Sequence, residues 1–481
     1  MSHTLLIALV VFIPVVGCFL LPLAGLASIR LRNLLALLLV SASFVLSLVL
    51  LPFLMKGSTV TYRYAVPLGL DFVLYADKLA VFMALVSSFI GAIIVLYSFG
   101  YISHYPNQNE YYVMVVLFIG SMMGLVFSGN LILLFVFWEI TAITSWRLIG
   151  FYRDKPAVVR ADKSFLVTVF GALVMLVGFI MLYAQTGTFD LIGIKESLAG
   201  RPVADIAVIL ILFGILSKSA TLPMQTWLPD AGVAPSPVTA LLHAAVLVKI
   251  GVYVYARLFI ATFAVNDIWT TIVPVIAAAS ALVSAGAALI DTDLKRIIAY
   301  STISQIGFIF LGLATNTAIG IAGGLLYILM HGLAKAGLFL CAGIVEQNAH
   351  CKDITKLGGL IKTMPITAIS FLLCAFSVMG IPPFGGFFSK YMVIAGTVNS
   401  GQLLLAATFI VGAVLTILYL FRVFTLVFMG ESKCGPAKEG SPVMVFCVAL
   451  LAILSLVAGP YVHYPGSFVE SVVQQMAGLV K

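Results

Sequence analysis

The sequence predicts an all-α protein that crosses a membrane many times. Of its 481 residues, 62% are hydrophobic and 9% are charged, and the mean hydropathy is +1.17. A water-soluble protein carries about a quarter of its residues as Asp, Glu, Lys and Arg. Here 26 basic and 18 acidic residues serve the whole chain. Water therefore meets the protein at short loops, and the composition excludes a soluble multidomain protein.

Long apolar stretches divide the chain into about 14 predicted transmembrane helices, since about 20 apolar residues cross a bilayer as a helix. The predicted spans lie near residues 4–22, 32–54, 78–101, 112–128, 130–150, 164–184, 204–228, 235–260, 268–290, 296–315, 318–346, 364–393, 403–429 and 442–459. An even number of spans puts both chain ends on the same side of the membrane.

The basic residues predict the orientation of these spans. The loops after odd-numbered spans hold thirteen Lys and Arg residues, against seven in the other loops, the adjoining helix ends and the tail. Because cytoplasmic loops are rich in Lys and Arg, we expect a multi-pass protein of the cytoplasmic (inner) cell membrane with both termini on the outer side. One odd loop contains a charged turn that is interpreted as a structural anchor, with Asp291, Asp293, Lys295 and Arg296.

Two predicted spans contain helix-breaking residues near their middle. The breaks are SKSATLPMQTWLPDA at 217–231 and MGIPPFGGFFSKY at 379–391. Such breaks survive only where protein or water satisfies the freed backbone groups. They lie in the seventh and twelfth spans, so a five-helix repeat that starts at the fourth span and again at the ninth would make them equivalent. An odd number of helices inverts the second copy, and matching breaks in inverted halves indicate a transport pathway at the membrane midplane.

This repeat divides the chain into four predicted segments. They are helices 1–3 at 1–110, a first five-helix repeat at 111–262, a second, inverted repeat at 263–430, and helix 14 with a short tail at 431–481. In the tail, an apolar residue recurs every four positions, as expected for an amphipathic helix at the membrane interface. These residues are Phe468, Val472, Met476 and Val480.

Seven ionisable side chains inside the predicted spans form the candidate site. A charge at the bilayer centre costs about 2.5 kcal/mol or more, so each must face a cavity or a partner. They are Glu139, Lys218, His243, Lys249, His331, Lys335 and Lys390. His331 and Lys335 are four residues apart and share a helix face. His243 and Lys249 are separated by about 9 Å along a helix axis and mark two depths. We expect the set to form a hydrated line along the membrane plane that carries protons.

The chemistry of these residue types suggests roles and leaves alternatives open. A buried lysine can lose and regain a proton in response to a neighbouring charge, and Glu139 is predicted to hold Lys218 charged until the pair separates. The alternative is a buried ion pair that only fixes helix packing. His243 and His331 have the alternative role of neutral hydrogen-bonding groups between helices. Arg147 lies two turns from Glu139, and whether it competes for that carboxylate is open.

Several stretches carry a family resemblance. They are FWEITAIT at 137–144, the block at 217–258, DTDLKRIIAYSTISQIGF at 291–308, the HxxxK of MHGLAKAGLF at 330–339, and GIPPFGGFFSK at 380–390. Together they resemble the antiporter-like subunits of respiratory complex I (NADH-quinone oxidoreductase), of Mrp cation/proton antiporters and of membrane-bound hydrogenases. The presence of both His243 and Lys249 in one helix is most similar to the large Mrp subunit.

The resemblance implies a proton channel built from two inverted five-helix repeats, which works beside other membrane subunits of a larger complex in the lipid bilayer. Glu139 and Lys218 would match the family's coupling pair, Lys249 its central lysine, and Lys390 its terminal lysine at the second broken helix. The ion-translocating subunit of such an oxidoreductase or antiporter complex is expected to have no redox centre of its own.

We therefore expect a proton-translocating subunit of a complex I-related, energy-converting machine. Sodium is an alternative coupled ion, because the oxygens of Ser217, Ser219 and Thr221 are potential sodium ligands. The alternative is a self-contained secondary transporter whose broken helices surround a small solute or sodium. We predict no cofactor or metal, since the cysteines and histidines lack metal-ligand spacing, and no nucleic-acid partner, since no basic cluster is interleaved with aromatic residues.

Overall fold

The computed structural model describes residues 3–67, 71–433 and 437–478, which are mostly helical. The α-helices are α1 His3–Gly17, α2 Leu21–Ala27, α3 Ile29–Met55, α4 Lys78–Tyr101, α5 Gln108–Val126, α6 Leu131–Ile149, α7 Lys155–Thr186, α8 Leu191–Leu198, α9 Asp205–Lys218, α10 Trp227–Asp230, α11 Ser236–Ala240, α12 Leu247–Tyr255, α13 Trp269–Ile290, α14 Leu294–Ala314, α15 Ala318–Ala349, α16 Pro365–Met379, α17 Gly385–Asn399, α18 Leu403–Phe428, α19 Pro442–Val457 and α20 His463–Gly478. Short 3₁₀ turns cover Cys18–Leu20, Ala231–Val233 and Leu360–Lys362.

Eleven helices within the described ranges are long and apolar enough to cross a membrane, which confirms a polytopic helical protein. Three predicted spans are not among them. The seventh and the twelfth are each divided into two shorter helices, α9 with α10 and α16 with α17, because they are interrupted in the middle. The last, α19, is 16 residues long and apolar. The total of 14 spans stays a prediction.

Both predicted breaks are present. In the first, α9 ends at Lys218 and Ala220 takes the left-handed conformation, with φ 51°. In the second, α16 ends at Met379 and Gly380 has φ 82°. A Cβ atom on Gly386 would lie 1.8 Å from the Ser377 carbonyl oxygen, so the two halves approach where only glycine fits. Each broken helix is the fourth membrane segment of its predicted five-helix repeat.

The predicted span at 235–260 is not a uniform α-helix. Between α11 and α12 the chain forms a turn of π-helix at Leu241–Ala245, and a second π-helical turn follows at Ala256–Ile260. The amide of Val246 donates to the Leu241 carbonyl at 3.2 Å, which is the wider hydrogen bond of such a turn. The α-helical spacing expected between His243 and Lys249 therefore does not apply. Single π turns inside α-helices occur frequently at functional sites.

A β-hairpin that the all-α prediction did not include joins α3 to α4. Its strands, β1 Val60–Tyr64 and β2 Phe72–Ala76, pair in antiparallel register. Directly after β2, Asp77 caps α4 by accepting a hydrogen bond from the Ala80 amide at 2.9 Å. The same carboxylate accepts two hydrogen bonds from buried Arg257, at 2.5 and 2.7 Å. This ion pair connects the N-terminal helices to the end of the eighth span.

Helix α15 lies at the centre of the molecule and is buried over nearly its whole length. It packs against α14, α16, α17 and α19, and α20 packs against α15 and α4. The predicted amphipathic tail is thus a helix, with Val472 and Met476 buried. Val480 lies outside the described residues, as does Cys434.

Candidate functional site

The lysines and histidines of the candidate site are buried inside the helix bundle. Their exposed fraction is 0% for Lys218, His243, Lys249, His331 and Lys335, and 4% for Lys390. Glu139, on α6, is partly buried. Because an isolated buried charge is costly, the contacts of each group indicate how it is accommodated.

The centre of the site is a direct contact between the two repeats. Lys249 Nζ of α12 lies 2.9 Å from His331 Nδ1 of α15, and both side chains are buried. The charges facing His331 also include those of Lys335 and Lys390. His331 therefore lies where the predicted first and second halves of the line meet.

The second half of the line continues through two lysines held by backbone carbonyls. Lys335 Nζ donates to the Ile298 carbonyl of α14 at 3.1 Å. Lys390 Nζ, on α17, donates at 2.7 Å to the Val378 carbonyl in the last turn of α16, and so bridges the second break. The same ammonium lies 4.5 Å from the centroid of the Phe308 ring, a favourable cation–π distance. Because carbonyls are neutral acceptors, these lysines can be charged or neutral without losing an ionic partner.

A polar cluster that the sequence reasoning did not identify lies beside Lys390. The Tyr327 hydroxyl donates to Gln305 Oε1 at 2.6 Å, and Gln305 Nε2 donates to Thr416 Oγ1 at 3.1 Å. Ser301 and the Tyr419 hydroxyl share a further hydrogen bond of 2.7 Å. These buried side chains link α14, α15 and α18 around the terminal lysine. The available signal was the spacing of four residues between Ser301 and Gln305 in α14 and of three between Thr416 and Tyr419 in α18.

Lys218 and Glu139 interact through space. Lys218 Nζ donates to the carbonyl of Trp138 at 3.2 Å and lies 5.3 Å from the centroid of its indole ring. None of the ion pairs found in the described ranges joins Lys218 to Glu139, although their charges interact electrostatically. Glu139 Oε1 has no hydrogen-bond partner within those ranges. Lys218 thus contacts Trp138 directly, and Glu139 is near enough to act on it only through its charge.

Arg147 forms an ion pair with Glu110 and not with Glu139. Its guanidinium donates to Glu110 at the start of α5, and Arg153 donates to the other oxygen of the same carboxylate at 2.5 Å. Arg147 therefore has an ionic partner of its own and does not compete for Glu139 in this structure.

The charged turn before α14 has two functions in the fold. Asp293 caps α14, and Arg296 donates to Asp291 at 3.0 Å and to Asp230 at 2.8 Å. Lys163 of α7 donates to the other Asp230 oxygen at 2.7 Å. Asp230 is therefore an anchor that ties the first broken helix to both repeats.

Lys295, expected as a member of the anchor, is instead a buried ionisable residue. It is 1% exposed, and its Nζ lies 2.8 Å from Glu346 Oε2 and 2.9 Å from the Ala234 carbonyl oxygen. Glu346, on α15, was not among the predicted site residues. The available signal was its spacing from Lys335, since eleven residues make three helical turns and place both on one face of α15.

Two family models match the sequence. The model described as NADH:quinone oxidoreductase/Mrp antiporter, TM, matches residues 128–416. The model described as NADH-Ubiquinone oxidoreductase (complex I), chain 5 N-terminus, matches residues 65–112. The first match covers more than half of the chain and contains the whole candidate site.

The curated relatives include Na(+)/H(+) antiporter subunit A1 of Staphylococcus aureus strains JH9 and Newman. Each is 34% identical over 464 residues, which cover 90% of this chain and 57% of the relative. The chain thus spans little more than half the length of the curated relatives it matches.

Three solved structures have the same fold. A chain of the Mrp complex from Dietzia sp. DQ12-45-1b is 22% identical with a TM-score of 0.89, covering 99% of this chain and 98% of that one. A chain of the membrane-bound sulfane sulfur reductase, an archaeal respiratory membrane complex, is 25% identical with a TM-score of 0.90, covering 100% and 99%. A chain of respiratory complex I from Thermus thermophilus is 23% identical with a TM-score of 0.86, covering 99% and 100%.

Proposed function

Because this chain belongs to the NADH:quinone oxidoreductase/Mrp antiporter family of membrane proteins, we propose that it translocates protons across the membrane as one subunit of a larger membrane complex. The relatives named as Na(+)/H(+) antiporter subunits favour cation/proton exchange as the activity of that complex. The solved chains of the same fold come from multi-subunit assemblies, which supports other membrane subunits as partners.

The observation that carries the proposal is the buried contact between Lys249 and His331. It joins two groups that can each hold or release a proton, 82 residues apart in sequence and 2.9 Å apart in space. A purely structural pair would not require two basic groups, because a second potential cation adds repulsion instead of compensating the first. Two basic groups in hydrogen-bond contact can pass one proton from one to the other, which is the step that proton transfer along a line of residues requires.

In this mechanism a proton moves between neighbouring basic groups. When Lys218 is protonated, its charge favours release of a proton further along the line, and Glu139 keeps Lys218 charged until the two separate. Lys249 passes a proton to His331, and Lys335 and Lys390 carry it toward the second break. Water bridges the steps that are longer than one hydrogen bond. The roles of these residues, the repeat boundaries at 111–262 and 263–430, and both termini on the outer side belong to this proposal.

One observation specifically supports sodium binding by this chain. Ser219 Oγ and Thr221 Oγ1, in the first break, are buried and lack hydrogen-bond partners among the described residues. Neutral oxygens at a broken helix are the type of ligand that sodium takes in transporters. Direct sodium binding at the first break is therefore the second candidate function. It is compatible with proton transfer along the buried line of lysines and histidines.

Purification from native membrane in mild detergent tests the subunit proposal. We expect the tagged chain to elute with other membrane proteins, and proteoliposomes that contain this assembly to develop a pH gradient when a sodium gradient is imposed. The chain separated from its partners should show no such exchange. Solute or sodium transport by the isolated chain would instead support a self-contained carrier.

The through-space pair predicts non-additive losses. Glu139→Gln and Lys218→Ala should each reduce the rate of proton translocation, and the double variant should lose less than the product of the two single effects, because both changes remove the same interaction. The measurement is initial proton flux in proteoliposomes at matched protein content. Glu139→Asp should retain part of the activity. Multiplicative losses would show that the two residues act independently.

A further inference from the structure

A cavity of about 490 Å³ lies at the end of α4 and α15, outside the site described above. Its lining is aromatic and polar and includes Tyr101, His104, Tyr105, Tyr152, Glu346 and His350. Hydroxyl, imidazole and carboxylate groups can form hydrogen bonds with water, so this lining favours a water-filled space over a lipid-filled one. In the predicted orientation this end of the bundle faces the cytoplasm.

The inner wall of the cavity carries an ion pair. The Glu346 side chain is 28% exposed, whereas its partner Lys295 is 1% exposed. Ser236 Oγ also donates to Glu346 Oε2, at 3.2 Å. Glu346 therefore contacts the cavity on one side and a buried lysine on the other.

Beyond this pair lies a histidine without hydrogen-bond partners. His243 is fully buried, and neither of its ring nitrogens is hydrogen-bonded within the part of the chain that the structure describes. Its ring packs on that of Phe339 at a centroid distance of 4.6 Å. The positive charges facing it are those of Lys335 and Lys295. Because a buried polar group without a partner is costly, the two nitrogens mark a place that water or a transferred proton would occupy.

These groups lie in sequence along one face of α15. Lys335, Phe339 and Glu346 lie along it, and Lys335 and Glu346 are separated by about 16 Å, or three turns. His243 contacts this face at Phe339, one turn from Lys335. The sequence from the cavity inward is thus Glu346, Lys295, His243 and Lys335.

We propose that this cavity is the access route by which protons from the cytoplasm reach the second half of the buried line, with Glu346 and Lys295 as the relay pair and His243 as the inner acceptor. This rests on the proposed function in proton translocation. Lys295 gives one proton to His243 through water, and Glu346 returns to Lys295 a proton that its carboxylate takes from water in the cavity. One proton leaves the cavity and one arrives at His243, so the relay pair returns to its starting state. The route delivers protons to His243 without passing Lys218, and their onward transfer through Lys335 and Lys390 still requires the contact of Lys249 with His331 at the centre of the line.

The first test replaces the carboxylate. Glu346→Gln should lower the initial rate of proton translocation in proteoliposomes carrying the complete complex by at least about tenfold, as for loss of a positioned proton-transfer group. Glu346→Asp should recover part of the rate. The matched control is Glu110→Gln, since Glu110 is also ion-paired and its side chain is 30% exposed, yet it lies outside the cavity lining. Wild-type flux in Glu346→Gln would overturn the proposal.

The second test blocks the cavity in a folded protein, and so does not depend on an intact ion pair. In a background without native cysteines, His104→Cys should react with a membrane-impermeant thiol reagent from the cytoplasmic side, and labelling should stop translocation. Lys155→Cys, exposed outside the cavity, should be labelled without loss of activity. Labelled His104→Cys with full activity would overturn the access route. If Lys249→Ala, measured in parallel, also retained full activity, the proposed function itself would fail.

Discussion

We expect Lys249→Ala to abolish ion translocation and to leave the chain assembled in the proposed membrane complex. The substitution removes the hydrogen bond to His331 and the buried proton carrier at the centre of the line. The remaining groups are then separated by more than one hydrogen bond, and an alanine side chain offers no polar atom to bridge them. The measurement is proton flux in proteoliposomes, with assembly checked by co-purification of the partner subunits.

Lys249→Arg separates charge from proton exchange at the same position. Arginine keeps the positive charge but does not release its proton near neutral pH, so flux should be nearly as low as in the alanine variant. The matched control is Lys195→Ala. Lys195 Nζ likewise has one hydrogen-bond partner among the described residues, the Ala261 carbonyl at 3.2 Å, but it lies away from the buried line. Wild-type flux in Lys249→Arg would mean that Lys249 supplies charge alone.

We expect cysteines that replace Lys218 and Lys390 to be labelled from opposite sides of the membrane. Lys218 is the last residue of α9, so the first break lies between it and the predicted cytoplasmic face. Lys390 is in α17, which follows the second break and runs toward the predicted outer face. Because the two repeats are predicted to be inverted, each half supplies one half-channel, and water should approach Lys218 from the cytoplasm and Lys390 from outside.

The experiment uses single cysteines in a background without the six native ones and a small thiol reagent added to oriented membranes. Lys218→Cys should react when the reagent is on the cytoplasmic face, and Lys390→Cys when it is on the outer face. Ser103→Cys, in the exposed loop after α4, reports the orientation of the membranes independently. Labelling of both test positions from one side would exclude two half-channels and support a single vestibule.

The membrane class, the breaks and the embedded lysines were predictable because they are local properties. The cost of placing a charge or a broken backbone in lipid depends on the residues of one segment, so apolar length and Pro and Gly positions suffice to find them. Within one helix the three-turn spacing of Lys335 and Glu346 was equally available. The charge count of the loops likewise needs no neighbouring helix.

The partners of those groups were decided by tertiary structure. Lys249 contacts His331, Lys295 contacts Glu346, and Arg147 contacts Glu110, and in each pair the two residues lie on different helices. Helical periodicity determines which residues share a face, but it carries no information on which helix faces which or at what depth. That depends on close packing of the whole bundle, as where α16 contacts α17 at Gly386 and only glycine fits. The amino-acid sequence by itself therefore determined which ionisable residues lie in the apolar segments, and the packing of the helices determined which of them are neighbours.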